Sequence, residues 1–189
     1  AGQTVISRNT ISRNGWLTSG GDGGGIRITG HTNGLTITGN TIRSNRGLGM
    51  SVGMFVVAAR NAVVRSNAIS WNGIGGRDLG IGILVGFPNG LMISNNRIFE
   101  NGATNFGAGV YVTSNGMGNI RNNDIYSNFR YGGAFGDGPS SAVGIMIDAG
   151  STPNIRGNRI YENQERGAGN KSGTGIVLAQ IGSNPEIRS

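Results

Sequence analysis

One motif constrains this chain more than any other feature. Asn-x-Ile-x-x-Asn recurs six times, at Asn9/Ile11/Asn14, Asn40/Ile42/Asn45, Asn67/Ile69/Asn72, Asn96/Ile98/Asn101, Asn123/Ile125/Asn128 and Asn158/Ile160/Asn163. Its starts are 31, 27, 29, 27 and 35 residues apart. Three residues before each first Asn stands an aliphatic side chain: Ile6, Ile37, Val64, Ile93, Ile120 and Ile155. Further upstream a Gly opens an alternating apolar run, as in Gly25-Ile26-Arg27-Ile28, Gly53-Met54-Phe55-Val56 and Gly82-Ile83-Leu84-Val85. That Gly precedes the first Asn by 15 residues in the first such unit and by 14 in the next four, so length varies after the second Asn.

A period near 30 residues that alternates at period 2 describes three short strands per unit. One unit cannot bury its apolar side, but a stack of units buries a continuous column. The expected inward columns are Ile26/Met54/Ile83/Val110/Ile145/Ile176, Ile28/Val56/Val85/Val112/Ile147/Leu178, Ile37/Val64/Ile93/Ile120/Ile155/Ile187 and Ile11/Ile42/Ile69/Ile98/Ile125/Ile160. Asn is expected at the bends because it tolerates left-handed backbone angles. Stacked Asn amides can also pass hydrogen bonds along the axis. The recurrent Gly is expected at corners where a side chain would clash. The fold class is therefore all-β, a parallel β-solenoid of about six three-stranded turns without evident caps. Residues 1–189 are expected to be one such domain and a segment of a longer solenoid, because open strand edges invite further pairing.

Composition closes other routes. Gly accounts for 37 residues, too many for a helical bundle, and it lacks the strict three-residue period of collagen. No run reaches about 18 apolar residues, so no membrane-spanning helix is expected. With no Cys there is neither a disulfide nor a thiolate site. The acids are too few for a calcium cluster, and neither metal nor cofactor is expected.

These repeats, Gly-Ile-x-Ile followed by Ile-Arg-x-Asn-x-Ile-x-x-Asn, resemble the right-handed parallel β-helix repeats of the pectate-lyase-like superfamily. The resemblance spans nearly the whole chain. It implies a right-handed coil, as the bias of parallel crossovers also does. It further implies an extracellular or cell-surface carbohydrate-binding or carbohydrate-processing role. The repeat carries the coil and not the chemistry. The Asn-Thr-Asp, paired Asp-Asp and Gly-His-Gly of the superfamily's galacturonases are absent, as is the Asp-Pro-His of its epimerases. Glu100 and Glu162 share a column two turns apart with Ser127 between them, about 10 Å, and no catalytic residue is assigned. His31 and Lys171 fall in expected surface loops, as do the inserts at 16–24, 73–81, 129–143 and 164–174.

A net charge of +7 favours a polyanion. The arginines are spread around the coil and no nucleic-acid motif is present, so the expected partner is an anionic polysaccharide and not nucleic acid or membrane. The candidate binding residues are Arg121 and Arg156, which close the second strand of successive turns, with Tyr126, Tyr161 and Phe99 on the third strand. Arg can fork onto carboxylates and aromatic faces can stack on a sugar. Arg97, Asp124 and Arg159 share a column and are expected to form an ion-pair ladder. The outward residues Phe55, Leu84, Tyr111, Met146 and Val177 form an apolar stripe roughly 20 Å long. It could serve self-association, as could end-to-end stacking. The alternatives to a binding role are a structural solenoid such as a fibre, adhesin or tailspike shaft, and a complete polysaccharide lyase or glycoside hydrolase.

Overall fold

The computed structural model describes residues 3–15, 23–30, 33–47, 50–57, 59–73, 79–86, 89–131, 142–166, 173–179 and 186–188. Three long parallel sheets run the length of the coil. The first pairs Gly23–Ile28, Met50–Val57, Leu79–Gly86, Phe106–Thr113, Ala142–Ile147 and Gly173–Leu178 in succession. The second pairs seven strands, from Val5–Ser7 through Thr36–Thr38, Val63–Arg65, Leu91–Ser94, Gly118–Arg121 and Asn154–Arg156 to Glu186–Arg188. The third pairs the six strands Thr10–Ser12, Thr41–Arg43, Ala68–Ser70, Arg97–Phe99, Asp124–Tyr126 and Arg159–Tyr161. Numbered by their Asn motif, turns two to six are complete, with a partial turn at each end. The described residues contain no helix, and so none long and apolar enough to cross a membrane.

Register follows the sequence columns. Ile69, Ile98 and Ile125 are in register on consecutive third strands and fully buried. Val64, Ile93, Ile120 and Ile155 do the same on the second sheet, and Met54, Ile83, Val110 and Ile145 on the first. All belong to one continuous core. Leu178 and Ile187, on the last strands described, are half exposed.

Both Asn columns are hydrogen-bonded ladders. In the first, Asn96 donates its backbone N–H and its Nδ2 to Oδ1 of Asn123, at 2.9 and 3.0 Å, and its Nδ2 also donates to the Val64 carbonyl at 3.0 Å. In the second, Asn101 treats Asn128 and the Ile69 carbonyl alike. Each buried amide thus gives the backbone N–H of the ladder Asn one turn back an acceptor after the bend, and donates a further bond to a strand carbonyl of the preceding turn. The left-handed angle expected of these Asn residues lies one position earlier. Arg8, Gly39, Ser66, Asn95, Asn122 and Gly157 precede the first ladder with positive φ. Arg13, Ser44, Trp71, Glu100, Ser127 and Glu162 precede the second, with φ from 51° to 59°. The physical reason is that the residue before makes the bend, which aims the following Asn inward along the axis.

The recurrent Gly is required by space. A Cβ on Gly53 would sit 2.7 Å from Asn72 Nδ2, from Ile69 Cγ2 and from the Gly82 carbonyl. The third-strand Ile and the second-ladder Asn therefore occupy the volume that the first strand vacates at its Gly. A fourth, short sheet was not anticipated. Gly102–Ala103, Phe129–Arg130 and Gln164–Glu165 pair after the second ladder in turns four to six.

Candidate functional site

The candidate residues lie on the outer faces of the second and third sheets. Ile120 and Ile155 point into the core, so Arg121 and Arg156 point out, in register with each other and with Arg188. Arg156 is exposed and Arg121 half-buried. Arg121 reaches back one turn to Met92, with Nη2 3.5 Å from its Sδ. Ser94, which precedes Arg121 in the column, is buried. Among the described residues no carboxylate pairs with Arg121 or Arg156, whereas Arg188 pairs with Glu186.

On the third sheet, Phe99, Tyr126 and Tyr161 are in register. Their rings stack at centroid separations of 5.1 and 5.0 Å, with planes within 4° and 7° of parallel. The ring faces are therefore occupied by one another, and the stack presents its edges and hydroxyls to solvent. Face-on stacking of a sugar, the role expected of them, does not fit the interior of this column.

The rings are served by arginines of their own sheet, and not by Arg121 and Arg156. Arg97 donates from Nη2 to the Tyr126 hydroxyl at 3.0 Å and lies 5.4 Å from the Phe99 centroid. Arg159 lies 5.5 Å from the Tyr161 centroid. The hydrogen bond to Tyr126, first, and then its electrostatic field hold the Arg97 guanidinium above its ordinary pKa. Arg159 also pairs with Asp124 at 3.4 Å, while Arg97 makes no ion pair within 4.0 Å among the described residues. Only half of the expected ion ladder closes, because Arg97 turns to the phenol. Arg97 and Arg159 as ring partners were missed from sequence. The available signal was their spacing two residues before an aromatic, which places both on one strand face.

This coil matches a family model. The model for the right handed beta helix region matches residues 1–101 and again 24–189. The chain belongs to the right-handed β-helix family. Comparison with curated proteins and with solved structures finds no significant match to either.

Elsewhere on the β-helix, the apolar stripe is more enclosed than its sequence implies. Leu84 and Met146 are buried, while Phe55, Tyr111 and Val177 are half-buried. They pack with Val52, Ile81, Ala108 and Val143 in a second apolar cluster outside the first sheet. Tyr111 donates to the Asp148 carboxylate at 2.7 Å beside this cluster. Burial, and then that bond, push the Tyr111 hydroxyl up to about 12.

Glu100, Ser127 and Glu162 share the column expected of them, and Ser127 Oγ donates to Glu162 at 3.3 Å. With a turn between them, the two glutamates stand about 10 Å apart, beyond the separation of a retaining glycosidase pair. Among the described residues no three His, Cys, Asp or Glu side chains could hold a metal ion. His31, Lys171 and most of the four inserts lie outside the described residues.

Proposed function

We propose that this β-helix binds an anionic polysaccharide outside the cell, and that the face described here holds the polymer without cleaving it. The observation that supports this reading is the arginine column of the second sheet, where Arg121 and Arg156 stand in register with no carboxylate paired to either among the described residues. Two guanidinium groups on adjacent turns repel each other, and a polymer bearing regularly spaced carboxylates relieves that repulsion. The turn spacing of about 4.8 Å is close to the rise of one sugar in an extended chain. Tyr126 and Tyr161 would contribute hydroxyls and ring edges, and Phe99 the apolar base of the stack. The resemblance to pectate-lyase-like repeats favours a carbohydrate over other polyanions.

The test is calorimetric titration of polygalacturonate into the parent protein and into Arg121→Ala/Arg156→Ala at low salt, with release of reducing ends followed in parallel. Tight binding by the parent, weakened in the variant and by added salt, is the expected result. Equal affinity in both proteins rejects this site. Absence of binding by the parent rejects the reading and favours the structural shaft. One observation already speaks for that second reading: two Asn ladders and a ring stack commit many side chains to stiffening the coil along its axis.

A further inference from the structure

The net charge is not shared along the axis. Residues 1–77 hold eight arginines and one acid, Asp22, whereas residues 78–189 hold seven arginines, one lysine and eight acids. The whole net charge of +7 therefore belongs to the first part of the chain. The arginines are spread around the coil, but all of the acids except Asp22 fall in the later part of the chain.

Five of these eight arginines flank the outer face of the third sheet in turns one to three. On the side of the first bend, Arg8 lies with its Cγ 3.8 Å from the position a Cβ would take on Gly39. Gly39 in turn donates its N–H to the Arg65 carbonyl at 3.3 Å, so Arg8 and Arg65 flank one small residue. On the side of the second bend, the Arg13 N–H donates to the Arg43 carbonyl at 3.3 Å, and the Arg46 N–H to the Asn14 carbonyl at 2.9 Å. This brings Arg13, Arg43 and Arg46 together on two adjacent turns. All five side chains are exposed, and none makes an ion pair among the described residues. Between the two rims Thr10 and Ser12 and, one turn on, Thr41 present short hydroxyl side chains, with Arg43 projecting beside them at the second bend. Trp71 stands in the column of Arg13 and Ser44 one turn further on, 40% exposed.

From turn four onward the same face changes character. There Arg97 and Arg159 are engaged by Tyr126 and Asp124, and the rings fill the surface. Like charges on neighbouring turns repel even in water, and among the described residues of turns one to three no carboxylate offers them relief. A hydroxyl floor between guanidinium rims suits a chain of hydroxylated, carboxylated rings. Among the described residues of this face in turns one to three Trp71 is the single exposed aromatic, which does not supply the successive stacking platforms that single-stranded nucleic acid uses.

We infer that turns one to three carry the principal polyanion site of this protein, a shallow hydroxyl-lined floor rimmed by Arg8 and Arg65 on one side and by Arg13, Arg43 and Arg46 on the other, and that its ligand is an acidic polysaccharide. The ligand class rests on the function proposed above, but the location does not, since Arg121 and Arg156 lie in turns five and six.

The test compares Arg13→Ser/Arg43→Ser/Arg46→Ser with Arg121→Ala/Arg156→Ala, both against the parent. Ser is chosen because Ser44 already takes the left-handed angle that Arg13 takes one turn earlier. Thermal melts check that each variant is folded, and the corresponding triple Lys variant keeps the charge. The probes are polygalacturonate, its methyl-esterified form and a single-stranded oligonucleotide of equal charge.

The triple Ser variant should bind polygalacturonate about tenfold more weakly at low salt. Its dependence of log K on log salt should be shallower by about 2 to 3. The Lys variant should bind nearly as the parent, and the esterified polymer should bind neither protein. Retention of parental affinity by the triple Ser variant overturns the location. If the Arg121/Arg156 variant alone loses affinity, the function stands at its first site and this inference fails. If only the triple variant loses affinity, the later site falls. Preference for the oligonucleotide overturns the ligand class, and no binding of any probe by the parent rejects both.

Discussion

Removal of a single ladder amide measures how much of this coil rests on its Asn columns. Asn123 is 1% exposed and makes four side-chain hydrogen bonds. Its Oδ1 accepts from the Asn96 N–H and Nδ2, at 2.9 and 3.0 Å. Its Nδ2 donates to the Ile93 carbonyl and to Asn158 Oδ1, at 3.0 and 2.9 Å. In Asn123→Ala, Asn158 Oδ1 retains the Asn123 backbone N–H, and Asn96 Nδ2 retains the Val64 carbonyl. The Asn96 N–H and the Ile93 carbonyl lose these bonds in a buried site that a methyl group cannot serve. Each such loss costs about 1–3 kcal/mol, so the variant should be less stable by about 3–5 kcal/mol. Asn9→Ala provides the internal comparison. Asn9 is exposed and its side chain accepts no hydrogen bond among the described residues, so its loss should cost no more than about 1 kcal/mol. Urea denaturation of the full chain, followed by far-ultraviolet circular dichroism, reads both. A loss below about 1 kcal/mol for Asn123→Ala, or equal losses at both positions, would refute the satisfaction argument and leave the ladder a by-product of stacking.

Three further outcomes follow from the same structure. Gly53→Ala forces a methyl group to 2.7 Å from three fixed atoms and should lower the melting temperature by well over 5 °C, whereas an unchanged melt would show that the coil yields there. Ile125→Asn puts an amide into a fully buried Ile column and should leave too little folded protein for a cooperative melt. The Tyr111 hydroxyl is held neutral in the fold, with its pKa raised from 10 to about 12. Its contribution is complete below pH 10 and is lost as pH rises through about 12, so urea midpoints should fall across that window in the parent and less in Tyr111→Phe.

The arginine and aromatic columns were legible as columns, but their chemistry was not. Period-2 alternation and the constant spacing from Gly to Asn assign Arg121 and Arg156 to one face and Phe99, Tyr126 and Tyr161 to another, and both assignments hold in the register. Which arginine meets which ring depends on side-chain rotamers, which spacing does not encode. Arg121 turns toward Met92, and Arg97 leaves Asp124 for the Tyr126 hydroxyl. The concentration of charge in turns one to three was countable from sequence, but its convergence on one face needed the bends.

What the sequence determined by itself is the solenoid: its sheets, its register, its Ile columns and its two Asn ladders. The reason is that stacking identical units turns a three-dimensional core into a one-dimensional repeat, so each residue's neighbours are its own counterparts about 30 positions away. What only the tertiary structure decided is where the repeat departs from itself. The left-handed angle falls on the residue before each ladder Asn, as at Ser66 and Trp71. The short fourth sheet forms where the chain after Asn101, Asn128 and Asn163 runs back against the first sheet. Both depend on how adjacent turns approach one another in space, a distance set by packing that no single turn of sequence contains.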